Sequence, residues 1–391
     1  MEYGTPYELK DRHAKDKLIL TAAKQEHLAK LLQHLQVSYE QNDQRYQIEL
    51  NTTMDALQIL PAVQPYIEGF EVLQGTMDDV FLHITGKTPE EEVALSTLTR
   101  RHILLYVRDR SAVFFSMLSV LIVLLLMLVF LGDMNKDELM QLVQQAHGSI
   151  QEGDAMHLIT MWTIAGILVV NAFTVPITMI GIFIQDKEQK KMESFYCSCV
   201  PRSILMLSYL LSAMVMGFLM CMLLMALSFC YVSFSGNDFL NLSQFLQACG
   251  LLLLCTFVSS ALVALLAQWV NSDHAWGAFS TLAGTLIGFL GGIYLPVGML
   301  PGAVQGILKS LPFLHETAMM RDIFTASALQ DLFHTLPASL SDTYREAMGI
   351  TISLNNQTLS IHIQIFALLL CGIIALGITV YVMNRHTAFN R

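Results

Sequence analysis

SAVFFSMLSVLIVLLLMLVFLG, residues 111–132, carries no charge over about twenty positions, and at about 1.5 Å rise per residue such a helix matches a hydrocarbon core roughly 30 Å thick. Five further stretches share its character: LITMWTIAGILVVNAFTVPITMIGIFI (158–184), ILMLSYLLSAMVMGFLMCMLLMALSFCYV (204–232), FLQACGLLLLCTFVSSALVALLAQWV (245–270), AWGAFSTLAGTLIGFLGGIYLPVGML (275–300) and IQIFALLLCGIIALGITVYVM (363–383). The sequence therefore predicts an α-helical polytopic membrane protein with six transmembrane helices, preceded by a small N-terminal α+β module.

Composition agrees. Of 391 residues 54% are hydrophobic and 14% charged, against about a quarter charged in a soluble protein, too few to cover a water-exposed surface. The first stretch, MEYGTPYELKDRHAKDK, is polar and has no apolar segment of the kind a signal peptide needs.

Lys and Arg on short flanks set orientation, because they accumulate on the cytoplasmic side. Arg100, Arg101, Arg108, Arg110, Lys187, Lys190, Lys191, Arg202, Arg385 and Arg391 fall on one side, against Lys136, Lys309, Arg321 and Arg345 on the other. The expectation is a cell-membrane protein with both termini cytoplasmic.

Of the seven cysteines, Cys221, Cys230, Cys249, Cys255 and Cys371 fall inside apolar runs, where thiols act as small packing groups. Cys197 and Cys199 form a lone Cys-x-Cys pair with no second pair or nearby histidine, and no metal site is expected.

Residues 1–92 are polar with short apolar groups. Lys17 to Leu20 reads as a strand, and Leu28, Leu31, Leu32 and Leu35 outline one face of a helix. VSYEQNDQRYQIEL reads as two strands about Gln41 to Asp43, TTMDALQILPAVQPYI as a helix interrupted by Pro61, and FEVLQ as a last strand, with Thr76 able to cap a short helix beyond it. The region has no GxxxxGK[ST] phosphate loop and no catalytic constellation, so a regulatory or docking role is expected and no nucleotide chemistry.

Two motifs resemble the ATPase subunits of ABC exporters. Gly4-Thr5-Pro6-Tyr7-Glu8-Leu9-Lys10 is similar to the GTPxELK segment after their switch histidine, and Gly75-Thr76-Met77-Asp78-Asp79-Val80-Phe81-Leu82-His83-Ile84-Thr85-Gly86 to their closing TLDDVFLxLTG. The resemblance implies that this module corresponds to the C-terminal part of such an ATPase, without the phosphate loop, signature motif, acidic strand and switch histidine. It is read either as a true domain or as the remnant of a fusion or frameshift.

Residues 95–391 resemble an ABC type-2 export permease: an amphipathic lead-in at 95–110, the permease domain at 111–391 and an outer loop at 301–362. Arg108-Asp109-Arg110-Ser111-Ala112-Val113-Phe114-Phe115 is similar to the family's RDxxxxFF approach to the first span. EQKKMESFYCSCVPR (188–202) stands where the family has E-x-G-T-x-E-x-L closing in T-P; Glu188 and Glu193 fit, Pro201 fits loosely, and Lys190 and Lys191 replace Gly-Thr. Gly292-Ile293-Tyr294-Leu295-Pro296 through Leu300-Pro301, then Leu311-Pro312 and Arg321, resembles the family's paired prolines and PxxxxxxxxR.

What this implies is a permease subunit of an ATP-driven exporter of drug-like, amphiphilic or lipid-linked substrates, paired with an ABC ATPase and a second copy of itself. No cofactor binds this chain; ATP and Mg belong to the partner ATPase, and no nucleic acid is involved. Lys187, Glu188, Lys190, Lys191, Glu193, Pro201 and Arg202 are the expected ATPase-coupling residues. Arg100, Arg101, Arg108 and Arg110 are expected to reach lipid phosphates from an interfacial helix whose Ile103, Leu104 and Val107 share a face.

The apolar runs contain no Lys, Arg, Asp or Glu, which speaks against a proton relay and for an externally powered gate. Asn171, Thr174, Ser208, Ser212, Ser259 and Ser280, with Ser260, Gln268 and Thr285, are candidate pathway residues, although hydroxyls at such depth also bond backbone carbonyls. Gly284, Gly288, Gly291 and Gly292 predict close helix contact or a broken, re-entrant piece before Pro296. The 22 methionines lean toward amphiphilic cargo. A different class of reading, a membrane-embedded accessory or immunity protein that docks an ATPase without forming a pathway, is separated by co-purification.

Overall fold

Alternation in DKLILTA turns Leu18, Leu20 and Ala22 to one buried face and makes it the strand β1 (Asp16–Ala22). The computed structural model describes residues 16–22, 28, 31–32, 37, 39–42, 45–50, 53–73, 91–126, 132–145, 150–196, 200–334, 337–354 and 357–385. They divide into two units, Met1–Glu91 with Ser194–Val200, and Glu92–Glu193 with Pro201–Arg391. The motifs at 4–10 and 75–86, the cap at Thr76, Leu35, Cys197, Cys199 and Arg391 lie outside the described residues.

In the first unit β1 is joined by β2 (Tyr39–Asn42), β3 (Arg45–Leu50) and β4 (Ile67–Leu73) in an antiparallel sheet of order β2-β3-β1-β4. Leu18 stands opposite Ile48, and both are fully buried with Leu20, Leu28, Leu32 and Tyr46 in one core. The helix α1 (Ala56–Val63) runs through Pro61 rather than breaking at it, and passes into a 3-10 turn at Gln64–Tyr66.

The second unit is helical: α2 (Glu91–Arg108), α3 (Arg110–Leu126), α4 (Gly132–Gln145), α5 (Glu152–Glu188), the first half of α6 (Lys191–Tyr196), α7 (Arg202–Phe234), α8 (Leu242–Ala267), α9 (Asp273–Leu290), α10 (Gly302–Lys309), α11 (Pro312–Phe333), α12 (Ala338–Ala347), the short hairpin β5 (Ser353–Leu354) and β6 (Gln357–Thr358), and α13 (Ile361–Arg385). The central helix, α5, is buried along most of its length and packs against α3, α4, α7, α8, α9 and α11. Gly217 of α7 permits close approach there, since a Cβ on it would meet Thr256 of α8 at 3.2 Å and Pro176 of α5 at 3.3 Å.

The expectation of six transmembrane helices is corrected to four. Among the described residues the helices long and apolar enough to cross a membrane are α5, α7, α8 and Ile361–Met383 of α13. Of the first expected span, 111–132, the described residues hold α3 with 17 residues, and 127–131 lie outside them.

The run 275–300 also fails as one span, because it is a helix followed by a turn. α9 opens on Asp273 and His274, is diluted by Gly, Ser and Thr, and stops at Leu290. Gly292 then takes φ +60°, where side chains other than glycine's are strained, and the amides of Ile293 and Tyr294 both bond the Gly288 carbonyl, at 2.8 and 3.3 Å. Apolar composition spread across such a turn cannot deliver an unbroken hydrogen-bonded span.

Beyond the turn, α11 packs against α5, with Phe313 edge-on to Phe173 at 5.0 Å between centroids. The buried Arg321 guanidinium donates to Gly292 O at 2.8 Å and Met348 O at 3.1 Å and lies 3.8 Å from the Trp162 ring. Trp162 Nε1 donates to the same Met348 carbonyl at 2.9 Å.

Candidate coupling site

The helix α5 outlasts its apolar run by four residues, so its last turn carries Asp186, Lys187 and Glu188. Asp186 is 2% exposed. Its Oδ2 accepts from Arg101 Nη1 at 2.8 Å and from the Tyr209 hydroxyl at 2.6 Å, its Oδ1 accepts from Arg101 Nη2 at 3.3 Å, and Lys191 Nζ stands 3.6 Å away. A carboxylate taken this far from water persists when its lone pairs are filled by charged and hydroxyl donors, and here α2, α7 and α6 supply them.

His102 completes the cluster. Its ring stacks on Tyr209 at 3.8 Å between centroids, and Nε2 lies 3.1 Å from Ser208 Oγ. Ser208 spends its proton on Leu205 O at 2.6 Å, so Nε2 carries a hydrogen and donates to Ser208. Nδ1, 3.2 Å from Arg101 Nη1, is then the acceptor. The ring is neutral: burial first, and the Arg101 charge second, push its pKa down to about 3, against a smaller opposing pull from Asp186.

The next two residues tie α5 to other helix ends. Lys187 Nζ donates to Val270 O at 3.2 Å and Gln268 O at 3.5 Å, carbonyls at the negative end of α8. Glu188 Oε2 accepts the Asp273 amide at 3.0 Å, at the positive start of α9. The chain then reverses at Lys190, which holds the left-handed φ of 56°. Lys190 stands where the resembled loop has glycine, and the strain explains why glycine suits the position.

Of the remaining expected coupling residues, Lys191 begins α6 and reaches Asp186, and Pro201 is the N-cap of α7, accepting from the Leu205 amide at 3.1 Å. Arg202 opens α7 half-buried, and Glu193 falls in α6 with its side chain outside the described set. The arginines of α2 and the start of α3 do not act alike: Arg100, Arg108 and Arg110 are exposed, whereas Arg101 turns inward to Asp186. His102 and Tyr106 face the protein, while Leu104, Leu105 and Val107 are exposed and available to acyl chains.

Thr174 and Ser280 meet, with Thr285, along a cavity of about 490 Å³ between α3, α5 and α9. Asn171, Ser208, Ser212 and Ser259 are buried elsewhere, and the hydroxyls of Ser208, Ser212 and Ser280 bond carbonyls of their own helices. Asp186, His102 and Tyr209 were missed by sequence reasoning. A charge within one turn of an apolar run, with an aromatic residue in the following span, is the signal that was present. Among the described residues no group of three or more His, Cys, Asp or Glu is placed to hold a metal ion.

These membrane-length helices and their charged junction define a polytopic membrane subunit. Residues 93–325 match the family model for the ABC-2 type transporter, which covers more than half of the chain, and the chain belongs to that family. Residues 4–85 match the model for the ATP-binding protein DrrA1-3-like, C-terminal domain, which suggests association with an ABC ATPase subunit. Both resemblances read from the sequence are thus shown, and the chain is a permease-type membrane subunit related to ABC transporter machinery. No curated protein matches it.

Proposed function

We propose that this chain is the membrane half of an ATP-driven exporter, working as a pair of copies with an ABC ATPase on which ATP and Mg are bound and hydrolysed. The carrying observation is the junction at Asp186, where one turn of helix is bonded to α2, α6, α7, the end of α8 and the start of α9. A push on residues 187–191 from an ATPase therefore reaches α5, α7 and α8 at once through these bonds. The clustered cations at 187–202 and in α2 support a cytoplasmic placement of this end and of both termini. The methionine-rich spans and the apolar wall of the Thr174 cavity support amphiphilic, drug-like or lipid-linked cargo.

The test is co-purification of the full chain with the ABC ATPase expressed beside it, followed by reconstitution in proteoliposomes. Two permease copies with retained ATPase, and hydrolysis that rises with cargo, are the expected result. A chain that retains no ATPase, or one that retains it while moving no cargo, contradicts the reading; the second outcome fits an accessory or immunity protein.

A further inference from the structure

His315, in the first turn of α11, has a hydrogen-bond acceptor at each ring nitrogen. Nε2 lies 2.9 Å from Lys309 O, the last carbonyl of α10, and Nδ1 lies 3.3 Å from Gln364 Oε1 on α13. Gln364 is buried, and its own Nε2 donates to Leu359 O at 3.1 Å, which holds the amide with its oxygen toward the ring. Two acceptors around one imidazole are satisfied together only by the imidazolium, which donates from both nitrogens. In the neutral ring one nitrogen turns a lone pair on an acceptor. Rotating the Gln364 amide moves the clash to Leu359 O without removing it, so one of the three bonds is lost either way.

The ring sits well away from the Asp186 junction: Phe313, on the same turn, packs on Phe173, which lies about 20 Å along α5 from Asp186. Charged and titratable groups come from the elements packed against α11. Lys309 of α10 donates from Nζ to Ser353 O at 3.0 Å, and Glu346 of α12 accepts from Ser353 Oγ, so both are held on that serine. On α11 the neighbour is Glu316, buried and without a hydrogen-bond partner; α13 brings His362, which is exposed, and α8 brings only thiols. α5 has no titratable residue between His157 and Asp186, and α9 has Asp273 and His274 at its start, beside the junction. Among the described residues the ring's partners are therefore two neutral acceptors and no carboxylate.

We propose that His315 is a proton-operated latch: its protonated ring clasps α11 to both α10 and α13, and its neutral ring lets one of these contacts go. The half-buried ring exchanges its proton with solvent. The latch stands on this geometry alone and rests on the permease reading only for its effect on transport. In such an exporter, acid on this side holds the start of α13 against α11, and loss of the proton frees it to move.

Unfolding of the purified full chain in detergent, followed from about pH 8 to about pH 5.5, where histidine side chains titrate, tests it. Protonation completes a bond that exists only in the folded chain, so its contribution is present at acid pH and is lost as pH rises. The expected result is that the native chain gains on His315→Gln by about tenfold or more in the unfolding equilibrium constant between these limits. Gln364→Leu is expected to lose the same pH-dependent part, and Gln364→Glu, which sets a carboxylate opposite the ring, to keep it to higher pH. His102 titrates alike in all these proteins, so its opposite slope cancels from the comparison. On the unaltered chain, hydrogen exchange at the Leu359, Ile363 and Gln364 amides, which bond the Ile352 and Ser360 carbonyls, is expected to slow about tenfold or more at the acid end once the intrinsic effect of pH is removed. A difference between native chain and His315→Gln that does not change with pH overturns the proposal. So does native pH dependence in Gln364→Leu, or equal protection of these amides at both ends of the range. No ATPase enters these measurements, so their failure leaves the coupling reading standing, and a chain that retains no ATPase can still show the latch.

Discussion

The Arg101 guanidinium meets the Asp186 carboxylate at 2.8 and 3.3 Å across 85 positions of sequence. Asp186 is 3% exposed at its side chain and Arg101 30%, so the pair is half shielded from water and its worth lies between that of a surface and a buried bridge. Arg101→Ala leaves the acid with Tyr209 and Lys191 only, and is expected to destabilise by about 2–3 kcal/mol. Asp186→Asn is expected to cost a similar amount, and the double variant less than the sum, with a coupling of about 1–2 kcal/mol. Thermal unfolding of the four proteins in detergent measures this; strict additivity would contradict a direct bond.

Lys190 pays for its left-handed backbone with strain of about 1 kcal/mol. Lys190→Gly is expected to raise the unfolding midpoint, and Lys190→Val, with its branched Cβ, to lower it. The same midpoint for all three would mean that the reversal is not held at this residue.

Acid acts on His102. Its folded pKa of about 3 lies below the ordinary value of 6.5, so between these limits the unfolded chain binds the proton and the folded one does not. Stability is therefore unaffected above about pH 6.5 and falls by about 1.4 kcal/mol per unit as pH drops below it. His102→Phe keeps a ring beside Tyr209 and is expected to flatten this slope between about pH 7 and 5, measured as unfolding midpoint against pH.

Gly288 is required by a neighbour, because a Cβ there would lie 2.2 Å from the Tyr294 ring. Gly288→Ala is expected to cost about 1–3 kcal/mol by overpacking, and Tyr294→Ala in the same chain to recover most of it. Failure of the second change to rescue the first would show that the glycine acts through its own helix.

Much of the fold was legible because two local sequence patterns carry it. The alternation of Leu18, Leu20 and Ala22 marks a strand with one buried face, and the uncharged runs within α5, α7, α8 and α13 mark helices in lipid. What was not legible depends on contacts distant in sequence. The run 275–300 is apolar throughout, and only the Gly288 to Tyr294 turn, held by Arg321 from α11, shows that it does not cross in one piece. Residues 187–202 stand out as candidates for coupling through their charge and place between two apolar runs, but Asp186 was overlooked as the edge of one of those runs. Its burial arises from Arg101 and Tyr209, which no local pattern links to it. The buried helix α11 escaped notice in the same way, in a segment that reads as a loop.

Because the account makes Asp186 the point where an ATPase's motion enters the membrane helices, the most direct measurement is cargo-stimulated ATP hydrolysis by the reconstituted complex with native chain and with Asp186→Asn. The expected result is an Asp186→Asn complex that keeps its ATPase subunit and its basal hydrolysis while losing about tenfold or more of the stimulation. Full stimulation in a correctly assembled Asp186→Asn complex would contradict the claim.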